Sequence, residues 1–192
     1  MSLYERKVRA FLDEIAEASP APGAGAVSAV VAAMAAGLIA SAARRSPDWV
    51  EARGISAQAQ ALRSRVERLA EANEEAYLEV LALIDGAAAD GGRDAAIGKA
   101  LDTAAELPLA IAECSYDIAL LGAEGASHAA RGGAEDAAAA AVLAEAAARA
   151  AAGLVAANLV SIPGDERTLH AQRLADAATG AAKRAVAASA AR

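Results

Sequence analysis

The chain has 192 residues and a net charge of −7 at neutral pH, and alanine makes up about a third of it. This length suffices for one well-filled domain, so we expect a single domain over residues 1–192. The acidic balance argues against nucleic-acid binding, which needs Lys and Arg to displace counterions. Aromatic residues make up 3% of the chain, which disfavours an aromatic-rich β core.

The single cysteine, Cys114, rules out a disulfide within one chain and favours a reducing compartment. Its apolar helical surroundings indicate a core residue and not a nucleophile. No secretory signal pattern begins the sequence, so we expect a cytoplasmic protein. Residues 26–43 carry no charge, but they are mostly Ala, Ser and Gly, and we interpret them as a buried helix with no membrane association.

Apolar residues at helical spacing predict the first three helices in chain order. The first is amphipathic and ends near Ala18. The second, from about Gly25 to Arg44, is apolar on nearly all sides, which is typical of a central helix. After a break at Ser46, the third runs to about Asp85 with a 3-4 apolar spacing.

The second half of the chain predicts three more helices. The fourth covers residues 94–121 with an interruption or kink at Pro108. Glycines then mark a loop at Gly122, Gly125 and Gly132–Gly133, and helices follow over about 135–160 and 165–190. No alternation of β-branched residues is present. The expected fold is an all-α bundle of about six helices, and the apolar surface of the second and third predicts a homodimer.

A turn built on Ser19, Pro20, Pro22, Gly23 and Gly25 joins the first two predicted helices. It leaves backbone N–H groups free at the start of a long helix, where the helix dipole also favours negative charge. The turn is therefore a candidate anion site.

Three polar residues stand out against apolar or loop surroundings. Asn73 lies in the apolar spacing of the third helix, and it either fixes helix register or contacts a ligand. Asn158 lies among apolar residues of the fifth helix, with the same two alternatives. Asp136 is either a first-turn acid of that helix or a carboxylate held over a pocket as a general base.

No metal or nucleotide motif is present in the sequence. His128 and His170 are far apart in polar surroundings, and no His-x-x-x-His or Glu-x-x-His spacing occurs. The Gly-x-Gly at residues 23–25 follows a helix and not a strand, so it is not a dinucleotide fingerprint. We expect neither a metal nor a cofactor.

Several segments together resemble the cyclodeaminase/cyclohydrolase family, which comprises the cyclodeaminase domain of formiminotransferase-cyclodeaminase and stand-alone methenyltetrahydrofolate cyclohydrolases. Their order and spacing carry the resemblance. The segments are Phe11-Leu12-Asp13-Glu14-Ile15, Pro20-Ala21-Pro22-Gly23-Ala24-Gly25-Ala26-Val27, Glu74-Glu75-Ala76-Tyr77, Leu107-Pro108-Leu109, Glu135-Asp136-Ala137 and Asn158-Leu159-Val160-Ser161-Ile162.

The resemblance implies an all-α homodimer with a folate pocket between helices near the dimer interface. It implies either ring closure of 5-formiminotetrahydrofolate with loss of ammonia, or interconversion of 5,10-methenyl- and 10-formyltetrahydrofolate with water. The substrate would be a folate, with or without a polyglutamate tail. Asp136 would transfer the proton or bind the pterin. The turn at Pro22, Gly23 and Gly25 would donate N–H groups to the ligand. Asn73 and Asn158 would line the space between the turn and Asp136.

This chain departs from the family pattern at four positions of the expected pocket, one of which is Leu154, in place of a polar residue often found on the fifth helix. Ala24 and Ala26 replace a glycine and a serine of the turn, and Asn73 stands where family members usually carry an acid. The sequence therefore leaves two other functions open. One is a diverged enzyme that acts on a different cyclic or imine-like small molecule, and the other is a non-catalytic helical dimer that binds a ligand or a partner protein.

Overall fold

The computed structural model describes residues 2–17, 22–86 and 91–192, with side chains from residue 94 onward in the last range. These residues form helices and no strands, which confirms the all-α fold. The elements are a 3-10 turn (Leu3–Glu5), α1 (Val8–Ala16), α2 (Ala24–Arg44), α3 (Ala52–Asp85), α4 (Gly91–Ala104), α5 (Glu106–His128), α6 (Gly133–Asn158) and α7 (Glu166–Ala190). Ala18, Ser19, Pro20 and Ala21 of the predicted turn lie outside the described residues.

The described chain contains seven α-helices, one more than predicted, because the predicted fourth helix is divided at Ala105. Pro108 lies in the first turn of α5, where its missing N–H costs no helical hydrogen bond. The interruption therefore precedes the proline by three residues, and Pro108 itself is buried against the core.

The loop expected at Gly122 and Gly125 is wrong, because α5 continues through both residues to His128. A Cβ added at Gly122 would lie 2.8 Å from the Cβ of Ala141, and one at Gly125 would lie 2.7 Å from the Cβ of Ala137. These glycines let α5 and α6 approach closely, so their role is packing and not chain reversal.

The core is built largely from alanines of α2, α5, α6 and α7, with Ile39 and Ile118 among its larger fully buried side chains. α2 packs on α3, α5 and α6. α2 and α6 are long and apolar enough to span a membrane by length and composition, but 61% and 50% of their most apolar windows is buried in the bundle. Buried core helices commonly pass the same criterion.

An ionic cluster around Arg167 fastens the junction of α4 and α5 to the start of α7. The Arg167 guanidinium donates to Asp102 at 2.6 Å, to Glu106 at 2.8 Å and to Asp165 at 2.7 Å. Asp165 is also the N-cap of α7 and accepts the backbone N–H of Arg167. These bonds to Arg167 hold the pKa of Asp165 at about 2, below its ordinary 3.8.

We predict that Gly122→Ala lowers the free energy of unfolding by about 1–3 kcal/mol, because the added methyl overpacks the α5–α6 contact. Gly153→Ala is the matched control, since a Cβ there meets nothing within 4 Å. The control should stabilise the protein by up to about 1 kcal/mol through helix propensity. Urea denaturation measures both variants, and equal stability of the two would contradict this packing role.

Asp165→Asn keeps an N-cap side chain but removes the charge, so it isolates the ionic part of the cluster. Because the folded-state pKa is depressed, the carboxylate stabilises the fold above about pH 4, and this contribution is lost as the pH falls through about 2. The variant should therefore be less stable than the wild type at pH 6, and the difference should shrink on acidification. A difference that does not change between pH 6 and pH 2 would rule out this linkage.

Candidate functional site

A cavity of about 370 Å³ lies where five helices meet. It is bounded by the start of α2, the second half of α3, the α4–α5 junction and the last turns of α6. Its lining is mostly apolar, with two amides and one phenol: Gly23, Ala24, Gly25, Asn73, Tyr77, Val80, Leu81, Ile84, Leu101, Ala104, Pro108, Leu154 and Asn158. A concave apolar wall with a few converging polar groups is the usual form of a small-molecule site.

The glycine turn supplies one end of this cavity. Gly23 is the N-cap of α2 and provides no side-chain cap, and the first intrahelical bond runs from the N–H of Val27 to the carbonyl of Gly23. The N–H groups of Ala24, Gly25 and Ala26 thus precede the helical ladder, as expected for a first turn. Pro22 is buried directly before the turn and does not line the cavity.

Asn73 of α3 packs directly on the backbone of Gly25. A Cβ added at Gly25 would lie 2.0 Å from the Asn73 Oδ1, a distance no real contact reaches. One helical turn later, the ring of Tyr77 lies 3.5 Å from the corresponding Cβ position of Gly23. Any larger residue at position 25 would force the Asn73 side chain to move, so glycine is what lets this amide lie against the start of α2.

Asn73 and Asn158 are both half-buried and both face the cavity. Within the described part of the chain, neither side-chain amide has a hydrogen-bond partner. A polar residue that only fixes helix register would be expected to pair with a facing polar group. The placement of the two amides therefore favours the ligand-contact alternative for both, which stays a prediction.

The structure does not bring Asp136 to this cavity within one chain. Asp136 lies in the first turn of α6 and pairs with Arg45, just beyond the other end of α2. The 21 residues of α2 span about 31 Å between the two places. Its neighbour Glu135 accepts the N–H of Gly132 at 2.6 Å, so the two acids of this turn have separate partners.

Sequence reasoning missed several walls of the cavity, including Leu101 of α4 and Pro108 of α5. Tyr77 was recognised only as part of a motif, although it lies four residues after Asn73 on the same helix face. It is the one ionisable side chain among the described residues that line the cavity, which contains no carboxylate. A larger open cleft of about 680 Å³ lies beside Trp49 and Arg53, but no predicted site residue lines it.

Cys114 takes no part in the site. It is fully buried, and desolvation raises the pKa of its thiol to about 11. The reactive thiolate is therefore suppressed at neutral pH, in agreement with its interpretation as a core residue.

Comparisons with known proteins agree with this architecture. The sequence profile of the family described as formiminotransferase-cyclodeaminase matches residues 7–186. The crystal structure of formiminotetrahydrofolate cyclodeaminase from Thermotoga maritima is similar over 97% of this chain and 96% of its own, with a TM-score of 0.84 and 24% sequence identity. At that identity the likeness shows the fold alone. No curated protein sequence matches the chain.

A double-mutant cycle tests the Gly25–Asn73 contact. Gly25→Ala should destabilise the protein and displace the amide, whereas adding Asn73→Ala should remove the clash. We expect a coupling free energy of about 0.5–3 kcal/mol between the two substitutions, measured by urea denaturation. Additive effects would mean that the two residues do not meet in solution.

Proposed function

The chain belongs to the formiminotransferase-cyclodeaminase family, and from that premise we propose that it is an enzyme of one-carbon folate metabolism. Its reaction would be that of a methenyltetrahydrofolate cyclohydrolase or a formiminotetrahydrofolate cyclodeaminase. The single observation that carries the proposal is the convergence of Gly23, Gly25, Asn73 and Asn158 on one cavity. These four residues belong to the start of α2, to α3 and to α6, and the family resemblance implied all four as candidate ligand contacts.

The cavity has the chemistry that a tetrahydrofolate derivative needs. Val80, Leu81, Leu101 and Leu154 offer apolar surface to a flat pterin, and the two free amides can pair with its polar edge. The first N–H groups of α2 suit a negative group of the ligand, such as a carboxylate of its glutamate tail.

Both candidate reactions change C–N bonds at the one-carbon centre. In the cyclohydrolase reaction, water adds to the methenyl carbon and the bond to N5 breaks, which leaves the formyl group on N10. In the cyclodeaminase reaction, N10 attacks the formimino carbon and ammonia leaves. Each needs a group that accepts and returns a proton, and neither requires a cofactor in this proposal.

Two departures from the family pattern support a second candidate function. Ala24 and Ala26 alter the turn, and Asn73 places a neutral amide where family members usually carry an acid. Ala24 and Asn73 line the cavity, whereas Ala26 is fully buried in the first turn of α2. They favour, as the second candidate, a diverged enzyme for another cyclic or imine-like substrate, and a non-catalytic binding dimer is the third. We further propose a cytoplasmic homodimer.

The test is the near-ultraviolet absorbance of 5,10-methenyltetrahydrofolate mixed with purified protein. A cyclohydrolase should speed the loss of this absorbance above the buffer rate, and a cyclodeaminase should produce the same absorbance from the formimino substrate with release of ammonia. Asn73→Ala and Asn158→Ala should each lower kcat/KM at least tenfold, because each removes a polar ligand contact worth about 1.5 kcal/mol or more.

Gly54→Ala is the control for these variants and should retain wild-type turnover, since residue 54 is exposed near the start of α3 and neither it nor its chain neighbours line the cavity. Wild-type protein that accelerates neither reaction would reject the proposal. If Asn73→Asp then gains turnover, the family reaction was lost at this residue and the second candidate is supported.

A further inference from the structure

We propose that the cleft between the end of α2 and the start of α3 is a further binding site, which takes a small organic phosphate through Arg44 and Arg53. This arginine cleft has a volume of about 680 Å³. It lies at the opposite end of α2 from the cavity described above, and the 21 residues of that helix span about 31 Å. The inference therefore does not rest on the proposed function.

All the charge that lines the arginine cleft is positive. Arg44 and Arg53 are the charged residues among its described lining, and no acid accompanies them. Three other grooves of the described surface carry acids together with bases, among them Glu79 with Lys99, Glu67 with Arg63 and Glu145 with Arg149. In a chain with a net charge of −7, a lining of one positive sign points to an anionic ligand.

Both guanidiniums of the cleft are free to bind a ligand. Within the described part of the chain, neither has a hydrogen-bond or ion-pair partner. Arg45, the next residue after the first of them, is instead taken up by Asp136. Asp48 and Glu51 of the connecting turn are exposed and do not line the cleft. Each guanidinium therefore keeps its five N–H donors for an anion.

The position of Arg53 adds to the positive field. It is the second residue of α3, whose first turn contains no acid. The intrahelical ladder begins with the N–H of Ile55 on the carbonyl of Glu51, so the backbone N–H of Arg53 precedes it. The helix dipole disfavours a cation at this end and favours an anion, which means that a bound anion would relieve the repulsion.

The floor of the arginine cleft is held in place before any ligand binds. The hydroxyl of Ser46 donates to the carbonyl of Ala42 at 2.8 Å and accepts the N–H of Ala130 at 2.8 Å. Trp49 is 8% exposed, and its ring stacks on that of His128 with the centroids 5.8 Å apart. Binding would thus order little besides the two arginine side chains, which keeps its entropic cost low.

The chemistry of the cleft favours a phosphate ester over a simple carboxylate. A phosphate monoester carries a charge of about −1.5 to −2 and three terminal oxygens, so it can accept from two guanidiniums at once. Pro47 and Val50 provide an exposed apolar edge for the organic part of the ester, and Val50 is 90% exposed. The described lining contains no carboxylate, imidazole or thiol, so the inference is one of binding and not of catalysis.

Calorimetric titration with phenyl phosphate tests the site, with inorganic phosphate and phenol as the two halves of that probe. At low salt, we expect one phenyl phosphate to bind per chain. Inorganic phosphate should bind at least about fivefold more weakly, because it leaves the apolar edge uncovered. Phenol should not bind measurably. Sodium chloride at about 0.5 M should weaken binding by screening the exposed arginines. The fluorescence of Trp49, the only tryptophan, should change over the same concentrations.

Arg44→Gln and Arg53→Gln should each weaken the binding of phenyl phosphate about tenfold, because each removes a charge-assisted contact. The double variant should not bind it. Both residues are exposed, so the helical circular dichroism should be unchanged. Arg68→Gln is the matched control, since Arg68 is exposed on α3 and lies outside the cleft lining. It removes the same charge and should keep wild-type affinity.

Three results would contradict the inference. Wild-type protein that does not bind phenyl phosphate at low salt would overturn the site. So would a double variant that binds as well as the wild type, or an Arg68→Gln variant that loses as much affinity as Arg44→Gln. Equal affinities for inorganic phosphate and phenyl phosphate would overturn the assignment of an organic ester. None of these measurements uses a folate, so each outcome is separate from the fate of the proposed function.

Discussion

The contact between Gly25 and Asn73 is the constraint on which the candidate site depends. With no Cβ at Gly25, the amide of Asn73 lies against the backbone of α2, so α3 comes close enough for Tyr77 to cover Gly23. Because α3 lies this close, the first turn of α2 forms one wall of the cavity. Both elements are then held by the bundle, because α2 also packs on α5 and α6.

Close contact between helix backbones is also found in the rest of the fold. Alanine and glycine on α5 and α6 bring backbones together that leucine-rich helices would keep apart, and the fully buried Ala137, Ala141 and Ala144 show how small the side chains at these contacts are. Such a bundle buries little area per residue, so its stability depends on many well-fitted contacts. The Arg167 cluster adds a directional link at the α4–α5 junction, where α4 itself contributes few buried side chains.

The sequence was sufficient for the fold class because helical periodicity and alanine content leave little alternative. It was also sufficient to select Asn73 and Asn158 as candidates, because each interrupts an apolar pattern that is easy to recognise. It failed at Gly122 and Gly125, where glycine was interpreted as a helix end although its effect is to admit a neighbouring helix. Periodicity describes one helix at a time and carries no information about how near the next one lies.

The position of Asp136 shows that prediction of the candidate site from the sequence has the same limit. One of the two interpretations of Asp136 placed its carboxylate over the pocket, but the length of α2 separates it from the cavity within one chain. The sequence identifies Asp136 as an acid at a helix start, but no local motif gives the distance between that helix start and the glycine turn.

The most direct test of the account is amide hydrogen exchange with and without a tetrahydrofolate derivative. The N–H groups of Ala24, Gly25 and Ala26 precede the helical ladder, so they should exchange quickly in the free protein. The account predicts that the ligand slows exchange at these residues and around Asn73 and Asn158. Unchanged exchange at the start of α2, or protection confined to the cleft beside Trp49, would contradict it.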